Sequence, residues 1–284
     1  MTSVEWLEVR VRGSEDKTSY CQVLLQQHGF SGWVEESEGP QGFAYLVYLA
    51  QEPGWQERLT ALQADLQSWQ VEVTTHDQVR DEDWAENWKR FYHPLEVGRT
   101  LVICPSWEAF AAQPHHRMVT LDPGSAFGTG YHATTRLCLE LLEDTLEGQV
   151  LEPMLDMGTG SGILAIAAHR LGVRTLLAVD NDPVAVKVAR ENLVINQIAG
   201  VEVALADRPT GGPFALITAN LVAALLTELA AGLAEALAPG GRLICGGIIR
   251  ERADLVKQAM EQCGLRLLQE RSQDDWVSLL LERP

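Results

Sequence analysis

The chain has 284 residues, of which 46% are hydrophobic and 21% charged, a balance that suits soluble globular structure with a sizeable core in one large domain or two. No apolar run reaches the length of a membrane span, and the N-terminus lacks a basic stretch followed by an apolar one, so a cytoplasmic protein is expected. A net charge of −17 repels nucleic-acid phosphates and favours a basic protein as partner, unless it is only a solubility surface.

Cys21, Cys104, Cys138, Cys245 and Cys263 lie far apart with no Cys-x-x-Cys pair, which points to reduced and mostly buried thiols. The His115-His116 pair stands without a nearby carboxylate or thiol, so no metal site is expected.

In chain order, residues 4–12 alternate as a strand and 17–28 read as a helix that ends at Gly29. Strands are predicted over 30–36 and 43–50 around a Gly-Pro turn, a helix over 55–69 with Leu59, Leu62, Leu66 and Trp69 on one face, and a closing strand over 71–75. The order βαββαβ is a ferredoxin-like split unit occupying residues 1–76. That fold also hosts RNA-binding modules. Residues 1–76 carry 11 acids against 4 Lys plus Arg and no basic aromatic strand, which argues against RNA.

Residues 77–98 read as a helical joint. Trp84 and Trp88 share one face, and Asp81, Glu82 and Asp83 sit at its start, where the helix dipole favours acids. The indoles either pack the connector or form a rim for a docking partner.

From residue 99 to 284 a βα alternation predicts a mostly parallel sheet with helices on both faces. Strands are expected at 150–157, 174–179, 201–205, 215–219, 241–246, 265–269 and 276–281, the last two joined by the turn 270–275. Before them, Leu121 to Thr135 is a loop rich in glycine and small hydroxyls around Phe127, leading into a helix at 136–143. It is either a connector capped by Thr134 or Thr135, or a lid over a ligand with Thr135 as a contact.

Leu155 to Gly162 read Leu-Asp-Met-Gly-Thr-Gly-Ser-Gly, between a hydrophobic strand and a helix-forming run. Alternate glycines permit a tight turn and close approach to bare backbone, while the helix start offers unpaired N–H groups. The next strand ends in Asp180, 22 residues after Gly158, where an acid can grip ribose hydroxyls. Ile163 stands where a dinucleotide fingerprint places its third glycine, which points away from NAD and towards S-adenosylmethionine. Gly158, Asp180, Asp207 and Asn220 all follow strand ends, where open α/β sheets bind ligands.

These motifs resemble the PrmA family, methyltransferases of large-subunit ribosomal protein eleven. The matching segments are Glu82-Asp-Trp84, Asp122 to Thr135, Asp156 to Ala168 and Ala219-Asn-Leu-Val-Ala223, with Tyr131 and Ala133 departing at variable positions. The resemblance implies a class I S-adenosylmethionine-dependent methyltransferase, a Rossmann-like seven-stranded sheet with a small N-terminal ferredoxin-like domain that recognises the ribosomal protein. It places the family's cofactor contacts on Thr135, Gly158, Asp180 and Asn220. With Asp156 and Gly160 of the glycine motif, the expected cofactor-binding set is Thr135, Asp156, Gly158, Gly160, Asp180 and Asn220.

The expected reaction is methylation of amino groups, lysine side chains and the N-terminal amine, on a basic ribosomal protein of the large-subunit stalk base, without membrane or direct nucleic-acid binding. Alternatives are another basic protein or small amine as substrate, or a non-catalytic binding module. Asn220 could accept a hydrogen bond from the incoming nitrogen but cannot act as base. His132 is the one titratable group of the loop suited to that role, and is equally a structural histidine, so no catalytic base is assigned. The Asn220-Leu-Val-Ala sequence lacks the Pro-Pro-Tyr that often follows this asparagine in amine and amide methyltransferases, which favours an alkyl amine over a planar target.

Overall fold

Alternation of Val9 and Val11 with Glu8, Arg10 and Arg12 forms β1 (Trp6–Ser14), whose two valines are fully buried. A computed structural model describes residues 6–30, 33–37, 42–51, 54–79, 92–122 and 130–284. The chain divides into two units, residues 1–93 and 94–284.

In the first unit, β1 is followed by α1 (Thr18–Gln27), β2 (Val34–Ser37), β3 (Gly42–Ala50), α2 (Trp55–Ser68) and β4 (Glu72–Val79). The antiparallel order β2-β3-β1-β4 is the ferredoxin-like arrangement. Val9, Val11, Tyr45, Val47 and Leu49 share one core with Leu25, Leu62 and Leu66. The second strand begins later than the sequence suggests, because Phe30 still belongs to the end of α1. Its N–H reaches the Leu25 carbonyl at 2.8 Å and Gly29 sits at φ +75°, a glycine-terminated helix end. β4 continues past residue 75, the expected limit, to Val79. The joint helix bearing Trp84 and Trp88 lies outside the described residues.

The second unit opens with a three-stranded sheet that periodicity did not reveal: β5 (Leu95–Val97), β6 (Leu101–Pro105) and β7 (Arg117–Leu121). All five residues of β6 are buried, so the strand shows no polar alternation to mark it. Its β5–β6 turn is held by Glu143, which accepts from the Arg99 N–H at 2.6 Å and the Thr100 N–H at 2.8 Å.

Glu143 lies on α3 (Ala133–Leu146), which precedes β8 (Met154–Met157), α4 (Ile163–Arg170), β9 (Leu176–Asp180), α5 (Pro183–Ile195) and β10 (Glu202–Leu205). After these come β11 (Phe214–Asn220), α6 (Ala223–Ala236), β12 (Leu237–Ile249), α7 (Ala253–Gln262), β13 (Arg266–Gln273) and β14 (Trp276–Glu282). The strands order as β10-β9-β8-β11-β12-β14-β13, all parallel except β14, which runs antiparallel to both neighbours. Apolar clusters cover both faces, which is why the central strands read as nearly unbroken hydrophobic runs. β8 starts only at Met154, because Pro153 before it has no N–H for the ladder. β13 extends to Gln273 through residues assigned to the turn; its polar residues alternate in exposure along an edge strand. The direction of winding reverses between β8 and β11, which opens a crevice beyond their carboxyl ends.

Candidate active site

Gly158 to Gly162 fill the gap between β8 and α4. Gly158, Gly160 and Gly162 have φ of +72°, +55° and +83°, a left-handed sequence that L side chains resist. Space matters at Gly158 too, since a Cβ there would run into the Leu221 side chain. The loop is pinned to β9, where the Gly158 and Thr159 N–H groups donate to the Val179 carbonyl at 2.8 and 2.9 Å.

Asp180 ends β9. Its Oδ2 accepts from the Gly160 N–H at 2.9 Å and its Oδ1 from the Asp182 N–H at 3.0 Å. Each oxygen keeps a further lone pair, so the carboxylate both fixes the loop and can accept from a pair of ligand hydroxyls. Asp207, just beyond β10, is exposed and paired with the Arg208 guanidinium at 3.0 Å, which holds its carboxyl below the usual range.

Asp156 behaves differently from the other glycine-motif residues. It is fully buried, and its oxygens accept from Thr159 Oγ1 and Thr218 Oγ1, both at 2.6 Å. Burial pushes its pKa up from 3.8 to about 6, against the two hydroxyl donors that favour ionisation. Its side chain buttresses the loop from below.

Asn220, the last residue of β11, donates from Nδ2 to Thr135 Oγ1 at 3.4 Å, and Thr135 is itself fully buried on α3. Asn220 Oδ1 is buried and has no hydrogen-bond partner among the described residues. An unpaired buried acceptor costs about 1–3 kcal/mol, which marks this amide as one that awaits a donor.

His132 is the N-cap of α3. Its Nδ1 accepts from the Thr134 N–H at 3.4 Å and lies 2.8 Å from Thr134 Oγ1, and its ring meets Trp276 edge-on with centroids 4.7 Å apart. Burial, and then the Arg136 charge, lower its pKa to about 4. A base that weak is a poor acceptor for an ammonium proton, so the capping role describes this histidine. Phe127 and the rest of 123–129 lie outside the described residues.

Thr159, Thr218 and Asn192 were absent from the sequence-derived set. Asn192, fully buried on α5, donates to the Ser161 carbonyl at 2.8 Å and accepts from the Asp122 N–H at 3.0 Å, tying the glycine loop to the segment after β7. Thr159 stands inside the glycine motif, three residues from its partner Asp156, whereas Thr218 and Asn192 carry no local spacing signal.

The strand order, the antiparallel β14, the left-handed glycine loop and the carboxylate at the end of β9 define a class I S-adenosylmethionine-dependent methyltransferase. The profile of the family described as ribosomal protein L11 methyltransferase (PrmA) matches residues 5–284, and the chain belongs to that family. A ribosomal protein L11 methyltransferase from Chloroflexus aurantiacus is 36% identical across all of both chains. One from Geobacter sulfurreducens is 47% identical over 71% of this chain and 67% of its own. Among solved structures, the ribosomal protein L11 methylase of Lactobacillus delbrueckii subsp. bulgaricus superposes with a TM-score of 0.62 at 32% identity, over 68% of this chain and 98% of that one. No helix among the described residues is long and apolar enough to cross a membrane.

Proposed function

We propose that this protein methylates amino groups of ribosomal protein L11, lysine side chains and the N-terminal amine among them, in the cytoplasm. The observation that carries the reading is the family match over residues 5–284, which takes in both units.

The residues at the crevice suit the cofactor. S-adenosylmethionine, when bound, supplies a methyl group on a sulfonium, which needs no acid or metal to leave. Asp180 offers lone pairs to the ribose hydroxyls, and the bare backbone of Gly158 and Gly160 lets a ligand approach closely. Asp156 contributes through Thr159, and Thr135 through its contact with the Asn220 amide.

The protein's part is then mainly positioning, since in-line displacement needs the two reactants aligned. A lysine with pKa near 10.4 must first lose a proton, at a cost of roughly 4 kcal/mol near neutral pH. His132 is too weak a base to take it. Asn220 Oδ1, an acceptor lacking a described partner, can orient the neutral nitrogen by accepting one of its hydrogens. In the same reading the acidic first unit holds the basic protein of the ribosomal stalk base, and no nucleic acid takes part. Intact-mass spectrometry of purified L11 after incubation with the protein and S-adenosylmethionine tests this. Mass steps of single methyl groups are expected, and digestion of the product should place them on lysine and N-terminal peptides; an L11 that stays unmodified would overturn it.

A further inference from the structure

Asn220 and Gly246 are Cα partners in the parallel ladder of β11 and β12. The β12–β14 register shifts between Cys245 and Ile248, so Gly246 and Gly247 form an irregularity facing Ser278. Backbone conformation explains only the second glycine: Gly247 has φ +75°, whereas Gly246 has no left-handed φ. What Gly246 requires is room. A Cβ there would overlap Cys138 Sγ, stand 2.8 Å from Asn220 Oδ1 and lie 3.2 Å from Ser278 Oγ. Real Cβ atoms essentially never come within 3.0 Å of such neighbours. Cys138 and Ser278 are fully buried, their Sγ and Oγ 3.8 Å apart. Asn220 therefore lies against bare backbone on one side and the Thr135 hydroxyl on the other.

We infer that Gly246 is a positioning residue for methyl transfer. Its missing side chain gives the Asn220 amide the place from which Nδ2 reaches Thr135 and Oδ1 is held for the substrate nitrogen. Any side chain at 246 displaces that amide from Thr135, which affects the transfer step and leaves the ribose-binding carboxylate of Asp180 untouched. The inference rests on the reading of Asn220 as the residue that faces the amine.

The test is a mutant cycle in a Cys138→Ala background, which removes the sulfur that a Cβ would strike and leaves the Asn220 contact as the main one. Single-turnover rates on L11, S-adenosylmethionine affinity by calorimetry and melting temperature are measured for Gly246→Ala, Asn220→Ala and the two together. Adding Gly246→Ala is expected to slow transfer at least about tenfold, with cofactor affinity within about threefold. In the presence of Asn220→Ala it is expected to slow it no further, because neighbours that act through one another are not additive. An unchanged rate overturns the inference, as does an equal loss with and without Asn220. If Asn220→Ala alone leaves the rate intact, the reading of Asn220 fails instead, and the inference with it. Should the variant not fold, adding Ser278→Ala clears the remaining neighbour; failure of that protein to fold shows Gly246 to be a packing residue only and overturns the inference.

Discussion

Thr218 on β11 donates its hydroxyl to Asp156 on β8 at 2.6 Å, directly across the parallel ladder in which the two are Cα partners. The bond joins the strands that flank the crevice and, through the second carboxylate oxygen and Thr159, reaches the glycine loop. Thr218→Val keeps the shape and removes the donor. Asp156 then loses one of the two hydroxyl donors that favour its ionised form, so its pKa rises further. A loss of about 1–3 kcal/mol is expected at pH 8, and a smaller one at pH 5, where the carboxyl is largely protonated. Urea unfolding at the two pH values measures it; equal losses would contradict the assignment.

The raised pKa of Asp156 also predicts a signature in the unsubstituted protein. The folded state binds this proton more tightly than the unfolded chain, so folding gains stability as pH falls from about 6 towards 3.8. Above pH 6 the ionised, buried carboxylate carries a cost on the order of 3 kcal/mol relative to pH 3.8 and below. Asp156→Asn cannot titrate. Melting temperatures of the two proteins should therefore shift in favour of the parent by several degrees as pH drops through 6 to 4, and a constant difference would show that Asp156 does not titrate there.

Asp180 should bear on cofactor affinity more than on folding. Asp180→Ala removes the acceptor of the Gly160 N–H along with the lone pairs offered to a ribose. Binding of S-adenosylmethionine is expected to weaken by about 1.5–3 kcal/mol, the range for hydrogen bonds to a charged group. Unchanged affinity in calorimetry would remove Asp180 from the site.

Residues close in sequence carried the legible part of this site. Gly158, Gly160 and Gly162 announce a left-handed loop by alternation alone, and Asp180 follows one βα unit later, so the glycine loop and its carboxylate could be placed from spacing. Asp156 belongs to the same motif, yet its direction could not be read, because Thr218, 62 residues away, decides that the carboxylate points inward. Asn192 is similar. It meets Asp122 across 70 residues and Ser161 across 31, and nothing local distinguishes it from any helical asparagine. In the fold, the period of two exposed β1, whereas β6 is buried throughout and the polar edge strand β13 resembles a turn.

The separate core of the first unit, built on Val9, Tyr45 and Leu62, gives a domain-level prediction. A chain beginning at Pro94 keeps the glycine loop, Asp180 and Asn220 with both apolar clusters of the large sheet. It is expected to bind S-adenosylmethionine with near-parental affinity and to lose methylation of intact L11. Steady-state assays decide: turnover on L11 with an unchanged Michaelis constant would refute substrate recognition by the first unit.

Asn220 supplies the sharpest chemical test. Its Nδ2 is held by Thr135 and its Oδ1 lacks a partner among the described residues, an arrangement suited to orienting a neutral amine and useless for binding an ammonium proton permanently. Asn220→Ala removes one positioning hydrogen bond and should slow single-turnover transfer by the equivalent of about 2–4 kcal/mol, on the scale of a lost oxyanion-hole donor, with a smaller change in cofactor affinity. Asn220→Asp keeps the shape but adds a charge. A carboxylate next to the substrate lysine stabilises its protonated, unreactive form and raises its pKa, so the Asp variant should be slower than the parent at pH 7 and should regain part of the difference only above about pH 10, where the parent lysine is already neutral and its rate levels off. The Ala variant has no such charge, and its rate should stay a constant factor below the parent across the same range. An Asp variant whose rate levels off at the same pH as the parent would show that Asn220 does not face the amine.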